Sequence, residues 1–538
     1  MPSPIGTGSS STRPRAVRPA RTRAGCQRPR RCGDDGGGRT RLPAVISTRS
    51  VPVPMLRNTL AYLLARVVPG AVNLATLMLL SRRLSASEYG EYALAVAYGT
   101  MASALAFHWL CQGVSRYAAA WEAKRDTFLR CVFGAYLLTG LALVATVPVL
   151  GTILAGTIHL QIIVGVLALA LMQGMFDTVG NLNIAELKAG RYSRMAIFRA
   201  VATFLAVLVL TGLGYGYHAA MGGLLIGLGT AVVLFNFHTI AFVVAPRLDP
   251  APLRQIARQG VPLGIHYTLT LLGSLADRAI IGYFLGAADT GLYSAGADLV
   301  QRTLGVVMFA VYLGFYPAVV RAREANDAEA CLNQLRNGLS SLLAIGAPVV
   351  TGMIMISGNF THVLLGGTFE HTAADLLPIF AVTALAYALK TLYFDIPFIL
   401  EGRGAVLITL TLLSSALSVV LITLLVPIYG IAAAALTAAF SATLSALMSA
   451  WVGRRIMPLP CEPSKLVAIL VATMAMAAAV WPIRNMTGPI GLAIQTATGM
   501  LVYGLAAIVL LRFAPLKRKL GHGGVGQRTS AHSNRTDE

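Results

Sequence analysis

The chain has 538 residues, 56% of them hydrophobic and only 12% charged, with a mean hydropathy of +0.69. Soluble domains carry about a quarter charged residues, so half that share over this length excludes an ordinary soluble protein and implies a polytopic membrane protein. The net charge of +21 does not indicate a nucleic-acid binder, because residues 1–54 alone supply +9 of it.

That N-terminal arm holds eleven arginines, from Arg13 to Arg49, against Asp34 and Asp35. It is rich in Gly, Pro, Ser and Thr and too poor in apolar residues to fold, so it reads as disordered. Three readings stay open: a basic tail touching anionic headgroups, an Arg-rich transit peptide without a visible amphipathic stripe, or an overextended gene start with Met55 as the true first residue. No cleavable secretory signal is present. The six cysteines, Cys26, Cys32, Cys111, Cys131, Cys331 and Cys461, make no CxxC; they read as small hydrophobes rather than a disulfide framework or a metal site.

Apolar runs long enough to cross about 30 Å of hydrocarbon lie near 58–81, 92–111, 129–151, 160–185, 196–214 and 219–245. After a basic connector, Arg247 to Gly260, a second set lies near 261–285, 291–318, 338–357, 374–400, 404–427 and 429–452. Two more, near 465–483 and 488–511, bring the expectation to fourteen spans in an all-α membrane protein. Basic residues cluster in alternate connections: Arg116, Lys124, Arg125 and Arg130; Lys188, Arg191 and Arg194; Arg247, Arg254 and Arg258; Arg321, Arg323 and Arg336; then Arg403, Arg454, Arg455, Lys465 and Lys517 to Lys519. By the positive-inside rule both termini are cytoplasmic. Arg82, Arg83 and Arg484 are the exceptions on the other side; the first two read as snorkelling residues or as markers of a special turn.

A nine-residue pattern closes the first run and returns two hundred residues later: Leu84-Ser-Ala-Ser-Glu-Tyr-Gly-Glu-Tyr92 and Leu285-Gly-Ala-Ala-Asp-Thr-Gly-Leu-Tyr293. Leu, Ala, Gly and Tyr match in place, and Glu88 matches Asp289 in kind. Ala189-Gly190-Arg191 and Glu401-Gly402-Arg403 form a second correspondence. Two related halves in one chain is the plan of many secondary transporters, with the substrate path between the halves.

The outer connections are short, and only 358–373 is longer, which leaves no room for a catalytic outer loop. There is no GxxxxGK[ST], HExxH or GxSxG, so neither ATP hydrolysis nor a catalytic residue is expected, and no cofactor or metal. Asn359-Phe-Thr361 and Asn485-Met-Thr487 fit the glycosylation sequon by chance.

Ionisable side chains inside spans cost several kcal/mol unless they face water or a partner, so they are the candidates. Arg66, Arg278, Arg302 and Lys390 are the expected cavity cations; Asp177, Asp277, Asp298 and Asp395 are expected as ion-coupling residues or structural pairs. Asp298 and Arg302, at i and i+4, can pair on one helix face. Arg66 and Lys390 stand out because neither has an evident partner on its own helix. His108, His238 and His266 read as hydrogen-bonded interior residues rather than proton relays. A cavity lined by Arg and Lys favours an anion, and pyrophosphate matches guanidinium geometry well.

With Leu79-Leu-Ser-Arg-Arg-Leu-Ser-Ala-Ser-Glu-Tyr-Gly-Glu-Tyr92 and Asp277-Arg-Ala-Ile-Ile-Gly-Tyr-Phe-Leu-Gly-Ala-Ala-Asp-Thr-Gly-Leu-Tyr293, residues from about 56 to 512 resemble the polysaccharide transporters of the multidrug/oligosaccharidyl-lipid/polysaccharide exporter superfamily. The resemblance implies two six-helix lobes, 55–250 and 251–457, in a V around a central cavity, then two further helices in 458–513 and a cytoplasmic tail, 514–538. It implies a bacterial inner-membrane flippase for an undecaprenyl-pyrophosphate-linked repeat unit of capsule, exopolysaccharide or O-antigen, coupled to H+ or Na+. A polysaccharide polymerase and a chain-length regulator are the implied partners, with the lipid-linked substrate and membrane lipids. A lipid II flippase, a cation-coupled drug exporter and, from another class, a membrane glycan polymerase are the alternatives.

Overall fold

Inside hydrocarbon every backbone N–H and C=O must be satisfied within the protein, which restricts spanning segments to helices or closed barrels. The computed structural model describes residues 53–153, 160–244 and 246–521, and among these described residues there is no strand. The first series of long helices is α1 (Val53–Arg83), α2 (Ala86–Tyr117), α3 (Arg125–Ile153), α4 (Leu160–Ala185), α5 (Ala189–Gly212) and α6 (Gly216–Ile240). The second is α7 (Pro250–Phe284), α8 (Ala287–Glu324), α9 (Ala328–Met355), the short α10 (Ser357–Leu364), α11 (Gly367–Leu389), α12 (Ile396–Leu400) and α13 (Gly404–Ile456), followed by α14 (Pro463–Val480) and α15 (Gly488–Gly521). The arm expected to be disordered lies outside the described residues, but for its last two positions.

Twelve of the described helical segments are long and apolar enough, by length and composition, to cross a membrane, with α13 counted once. The runs expected at 404–427 and 429–452 both lie in α13 and are separated by a break in the helix at Gly430, which takes φ 68° and ψ −154°. The run near 261–285 falls in α7, which is not among the twelve. α7 also starts eleven residues early: Pro250, at its first turn, opens the helix inside the expected connector. The longest outer connection is likewise folded. It contains α10, and Asn359 there is buried with its amide donating to Gln495 Oε1 at 2.9 Å, so this sequon cannot accept a glycan.

The repeated motif is not the turn itself but the start of the following helix. Ser85 caps α2 in a capping box with Glu88, whose carboxylate accepts from the Ser85 N–H at 2.9 Å. In the second copy Gly286, at φ 90°, takes the cap position of α8. The two copies meet. A Cβ on Gly90 would fall on the Ala287 carbonyl oxygen, and a Cβ on Gly291 would fall on that of Ala86. Ala86 and Ala287 are themselves equivalent positions in the repeat, so the contact is reciprocal, as at a two-fold axis. Only glycine lets two helix backbones approach this closely.

The second correspondence shifts by three residues. Leu187 has φ 56° and Gly402 has φ 65°, so the matched turns are Glu186-Leu187-Lys188 and Glu401-Gly402-Arg403. Each glutamate anchors its turn to the basic end of an earlier helix: Arg125 Nε lies 2.6 Å from Glu186 Oε1, and Arg323 Nη2 lies 2.6 Å from Glu401 Oε1.

Two buried clusters make the core, and each borrows from the other half of the chain. The larger joins Leu80, Leu84 and Tyr89 to α8, α9 and α11; the smaller, built on α2 to α6, takes in Ile256 from α7. The seams between the halves differ. α2 lies along α7 over a long stretch, whereas the equivalent contact of α8 with α1 is much sparser. The α2/α7 seam is zipped by Gly113 against the Ile256 backbone and by Gly260 and Gly264 against Trp109. Hydrogen bonds reinforce it: Tyr117 donates to Gln259 Oε1 and Trp121 to Gln255 Oε1, both at 2.8 Å, and Thr268 donates to the Ala104 carbonyl at 3.0 Å. Arg82 is neither snorkelling nor free. Its guanidinium donates to the Val363 carbonyl in the last turn of α10 at 2.6 Å, capping that helix.

Candidate functional site

Three groups of charged side chains sit within the helical body. The first lies where α7, α8 and α1 meet. Asp298 accepts from Arg278 Nη2 at 2.5 Å and from Arg302 Nη2 at 3.1 Å, while Arg302 Nη1 reaches the Asn73 carbonyl at 3.2 Å. Asp277 accepts from the Tyr293 hydroxyl at 2.6 Å and from the Arg278 backbone N–H at 2.8 Å. The expected i,i+4 pair thus exists, but as one half of a network. Side-chain exposures of 15% for Arg278 and 17% for Asp298 put these groups inside the protein rather than at headgroups. Tyr293, the last residue of the second motif copy, is the reason Asp277 turns inward.

The second group is in the first half of the chain. Asp177 accepts twice from Gln173, at 2.9 and 3.0 Å. Arg199, on α5, stands 5.0 Å over the Phe176 ring, and its buried Nε has no hydrogen-bond partner. Asp177 on its own side, Arg302 of the other half and Tyr92 are among its electrostatic neighbours. Arg199 is absent from the expected candidates, although it is the one charge in the run near 196–214 and was legible there.

The third group is Lys390 with Asp395, 2.9 Å apart and 9% and 8% exposed. The expectation that Lys390 has no partner on its own helix fails. Residues 390–394 form a π turn, with the Asp395 N–H bonded to the Lys390 carbonyl at 2.9 Å. This i,i+5 repeat brings both side chains to one face, which α-helical spacing would not do. Lys390 is therefore a paired, buried ammonium.

Arg66 differs from all of these. Among the described residues it has no carboxylate within ion-pair distance; its guanidinium lies 4.7 Å over the Phe309 ring of α8. Nearby, His108 of α2 stacks on Tyr267 of α7, with centroids 5.2 Å apart and planes within 16°. Tyr387 of α11 lies in the same electrostatic neighbourhood as Asp395, Arg66 and Tyr267. Contacts from α1 to α8 and from α2 to α7 thus bring side chains of the two halves together. His238 is exposed on α6 and takes no part; the His266 side chain is outside the described residues.

Outside the spans, Glu186 sits between Arg125 and Lys188. Burial pushes its carboxyl up, but the hydrogen bonds from both cations outweigh that and hold it below the usual carboxylate range. No group of His, Cys, Asp and Glu among the described residues could hold a metal.

This helical fold is shared with solved transporters. The lipid II flippase MurJ in an inward closed conformation superposes with a TM-score of 0.67 at 14% identity, covering 86% of this chain and 100% of that one. A multidrug resistance MATE family transporter in its inward-facing conformation gives 0.57 at 13% identity, over 73% of this chain and 97% of that one. A transporter from Pyrococcus furiosus, described as having a binding pocket of reverse polarity, gives 0.52 at 12% identity, over 75% and 95%. Among curated proteins, none matches this sequence. The fold is that of the multidrug/oligosaccharidyl-lipid/polysaccharide exporter superfamily. Residues 79–374, more than half of the chain, match the polysaccharide biosynthesis protein family, and the chain belongs to that family.

Proposed function

We propose that this protein is a flippase that moves an undecaprenyl-pyrophosphate-linked oligosaccharide from the cytoplasmic to the outer leaflet of a bacterial inner membrane, with both termini cytoplasmic. The observation that carries the reading is the unequal pairing of charge along the helices. Asp298 is held by two arginines, Asp277 by Tyr293 and a backbone N–H, Asp177 by Gln173, and Asp395 by Lys390. Exposed Arg66 and half-buried Arg199 lie over aromatic rings and, among the described residues, have no carboxylate within ion-pair distance. Acids that each hold a partner, beside guanidiniums that hold no carboxylate, favour an anion, and pyrophosphate offers the oxygens that bidentate guanidiniums match. A cation exporter would need the reverse.

The seams suggest how cargo enters and how the lobes move. In this reading residues 55–250 and 251–457 act as two lobes, hinged along the tightly zipped α2/α7 seam. The sparse α1/α8 seam opens sideways, so the prenyl chain stays in lipid while the pyrophosphate and sugars pass inside. Exchange of partners among Asp298, Arg278 and Arg302, or protonation of Asp177, couples the motion to H+ or Na+.

Deletion of the gene tests this reading. Loss of surface polysaccharide with undecaprenyl-linked intermediates held on the cytoplasmic face is the expected result. Unchanged polysaccharide with blocked peptidoglycan precursors would assign lipid II instead; altered drug tolerance alone would assign an exporter.

A further inference from the structure

We propose that Arg82 and the turn between α10 and α11 form a latch between the two halves, which must let go before cargo leaves at the outer end; this rests on the flippase reading above. α10 has eight residues, about 12 Å of helix, too short to cross a membrane. It is tied to the later part of the chain at both of its ends. Near its start Asn359 donates to Gln495 Oε1 of α15 at 2.9 Å, and Gln495 donates in turn to the Ile483 and Arg484 carbonyls at 2.9 and 3.0 Å. In its last turn His362 Nδ1 lies 3.0 Å from Glu370 Oε1, in the first turn of α11. α10 therefore moves with the second half.

Beyond those ties, its end grips the first half. Arg82, in the last turn of α1, donates to the Val363 carbonyl at 2.6 Å. The Gly366 N–H donates to Ser81 Oγ at 3.2 Å, and a Cβ on Gly366 would fall on the Ser81 carbonyl oxygen, so the turn seats directly on the α1 backbone. One step further, Tyr89 of α2 meets Phe369 of α11 edge to face, with centroids 5.5 Å apart.

The C-terminal ends of α1 and α10 meet at the Arg82 guanidinium, and each carries the partial negative charge of its last carbonyls. Arg82 thus holds together two ends that repel without it. Because Arg82 is exposed, water can replace the Val363 carbonyl as its partner, so this bond breaks and re-forms without stranding a buried charge. The seat of Gly366 on Ser81 supplies the fit, and Arg82 supplies the holding force. α1 is also one of the two helices of the sparse α1/α8 seam, so the latch closes that seam at its far end.

The test uses the full chain in nanodiscs, with spin labels on Ser87→Cys and His371→Cys, two exposed positions on opposite sides of the latch. Cys26, Cys32 and the exposed Cys461 are replaced by Ser, and the buried cysteines stay. Pulsed EPR distances give the ratio of parted to latched molecules. Arg82→Ala raises that ratio about tenfold, the worth of one hydrogen bond from a charged group. Arg83→Ala, which removes the neighbouring exposed charge, stays within about twofold of the parent. Should Arg82→Ala fail to fold, Arg82→Gln, which removes the charge, is read in the same way. A ratio unchanged by the Arg82 variants, even with a lowered unfolding temperature, or an equal shift in Arg83→Ala, would overturn the latch. Neither result touches the flippase reading, which stands or falls on the gene deletion.

Discussion

Replacing Gly90 by Ala puts a methyl group where the Ala287 carbonyl oxygen already is, and 3.0 Å from the Gly291 nitrogen. Neither obstacle can rotate away, because both are backbone atoms of α8. A comfortable carbon–oxygen contact is about 3.3 Å or more, so the start of α2 must move away from α8 by more than about 1 Å. Overpacking of this kind costs about 1–3 kcal/mol, and a rigid obstacle argues for the upper end; the better helix propensity of Ala returns about 0.8 kcal/mol. The net expectation is a loss of about 2 kcal/mol. Gly291→Ala meets the Ala86 carbonyl in the same way and carries the same loss. One separation of the helices makes room for both methyl groups, so the double variant should lose about 2–3 kcal/mol rather than twice the single loss. Thermal unfolding in detergent, set out as a double-mutant cycle, reads this directly. Gly504→Ala, where a Cβ meets nothing within 4 Å, is the control and should be neutral or slightly stabilising. Gly90→Ala as stable as that control, or strict additivity of the pair, would refute the close-contact reasoning.

Four further outcomes are expected. Arg66→Ala and Arg199→Ala should each abolish or strongly reduce polysaccharide export at normal protein level, and normal export in both would remove the anion site. Lys390→Ala leaves the Asp395 carboxylate buried without its ammonium and should destabilise by about 3–5 kcal/mol, so its first effect is a lower unfolding temperature, which distinguishes it from Arg66→Ala. The built Gly70 Cβ lies 3.8 Å from the Val306 Cβ, within disulfide reach; Gly70→Cys with Val306→Cys, in a chain lacking the exposed Cys461, should stop transport when oxidised and recover with reductant, and transport by a fully cross-linked sample would refute α1/α8 as the opening seam. Glu186 has its folded pKa below its unfolded value, so its pairing stabilises above about pH 4.3 and that contribution fades as pH falls through the lower folded value. Glu186→Gln should therefore be less stable than wild type near neutrality and equal to it in strong acid, as followed by unfolding temperature against pH.

Much of the architecture was legible because hydrocarbon is a severe solvent. A run of about 20 apolar residues admits few structures but a helix, so composition and periodicity alone gave the all-helical class and most helix positions. The repeat, Leu84–Tyr92 and Leu285–Tyr293, announced related halves, and basic spacing separated the two ends of the helices. Errors fell where hydropathy carries no signal. The start of α7 is polar on the surface of a connector yet helical, because its glutamines are taken up by Tyr117 and Trp121.

Which charges act together was a different matter. Sequence spacing alone determined the Asp298–Arg302 pair, since i and i+4 share a helix face wherever the helix lies. Arg278 on Asp298 and Tyr293 on Asp277 join residues from different helices, so only packing could decide them. Lys390 shows the limit most sharply, because one π turn changes its angular position enough to pair it with Asp395, and no α-helical rule foresees that. The contacts of Arg66 with Phe309 and of His108 with Tyr267 likewise exist only in three dimensions. Periodicity reports what faces a helix presents; the identity of the neighbour on each face depends on how the two halves close on Gly90 and Gly291.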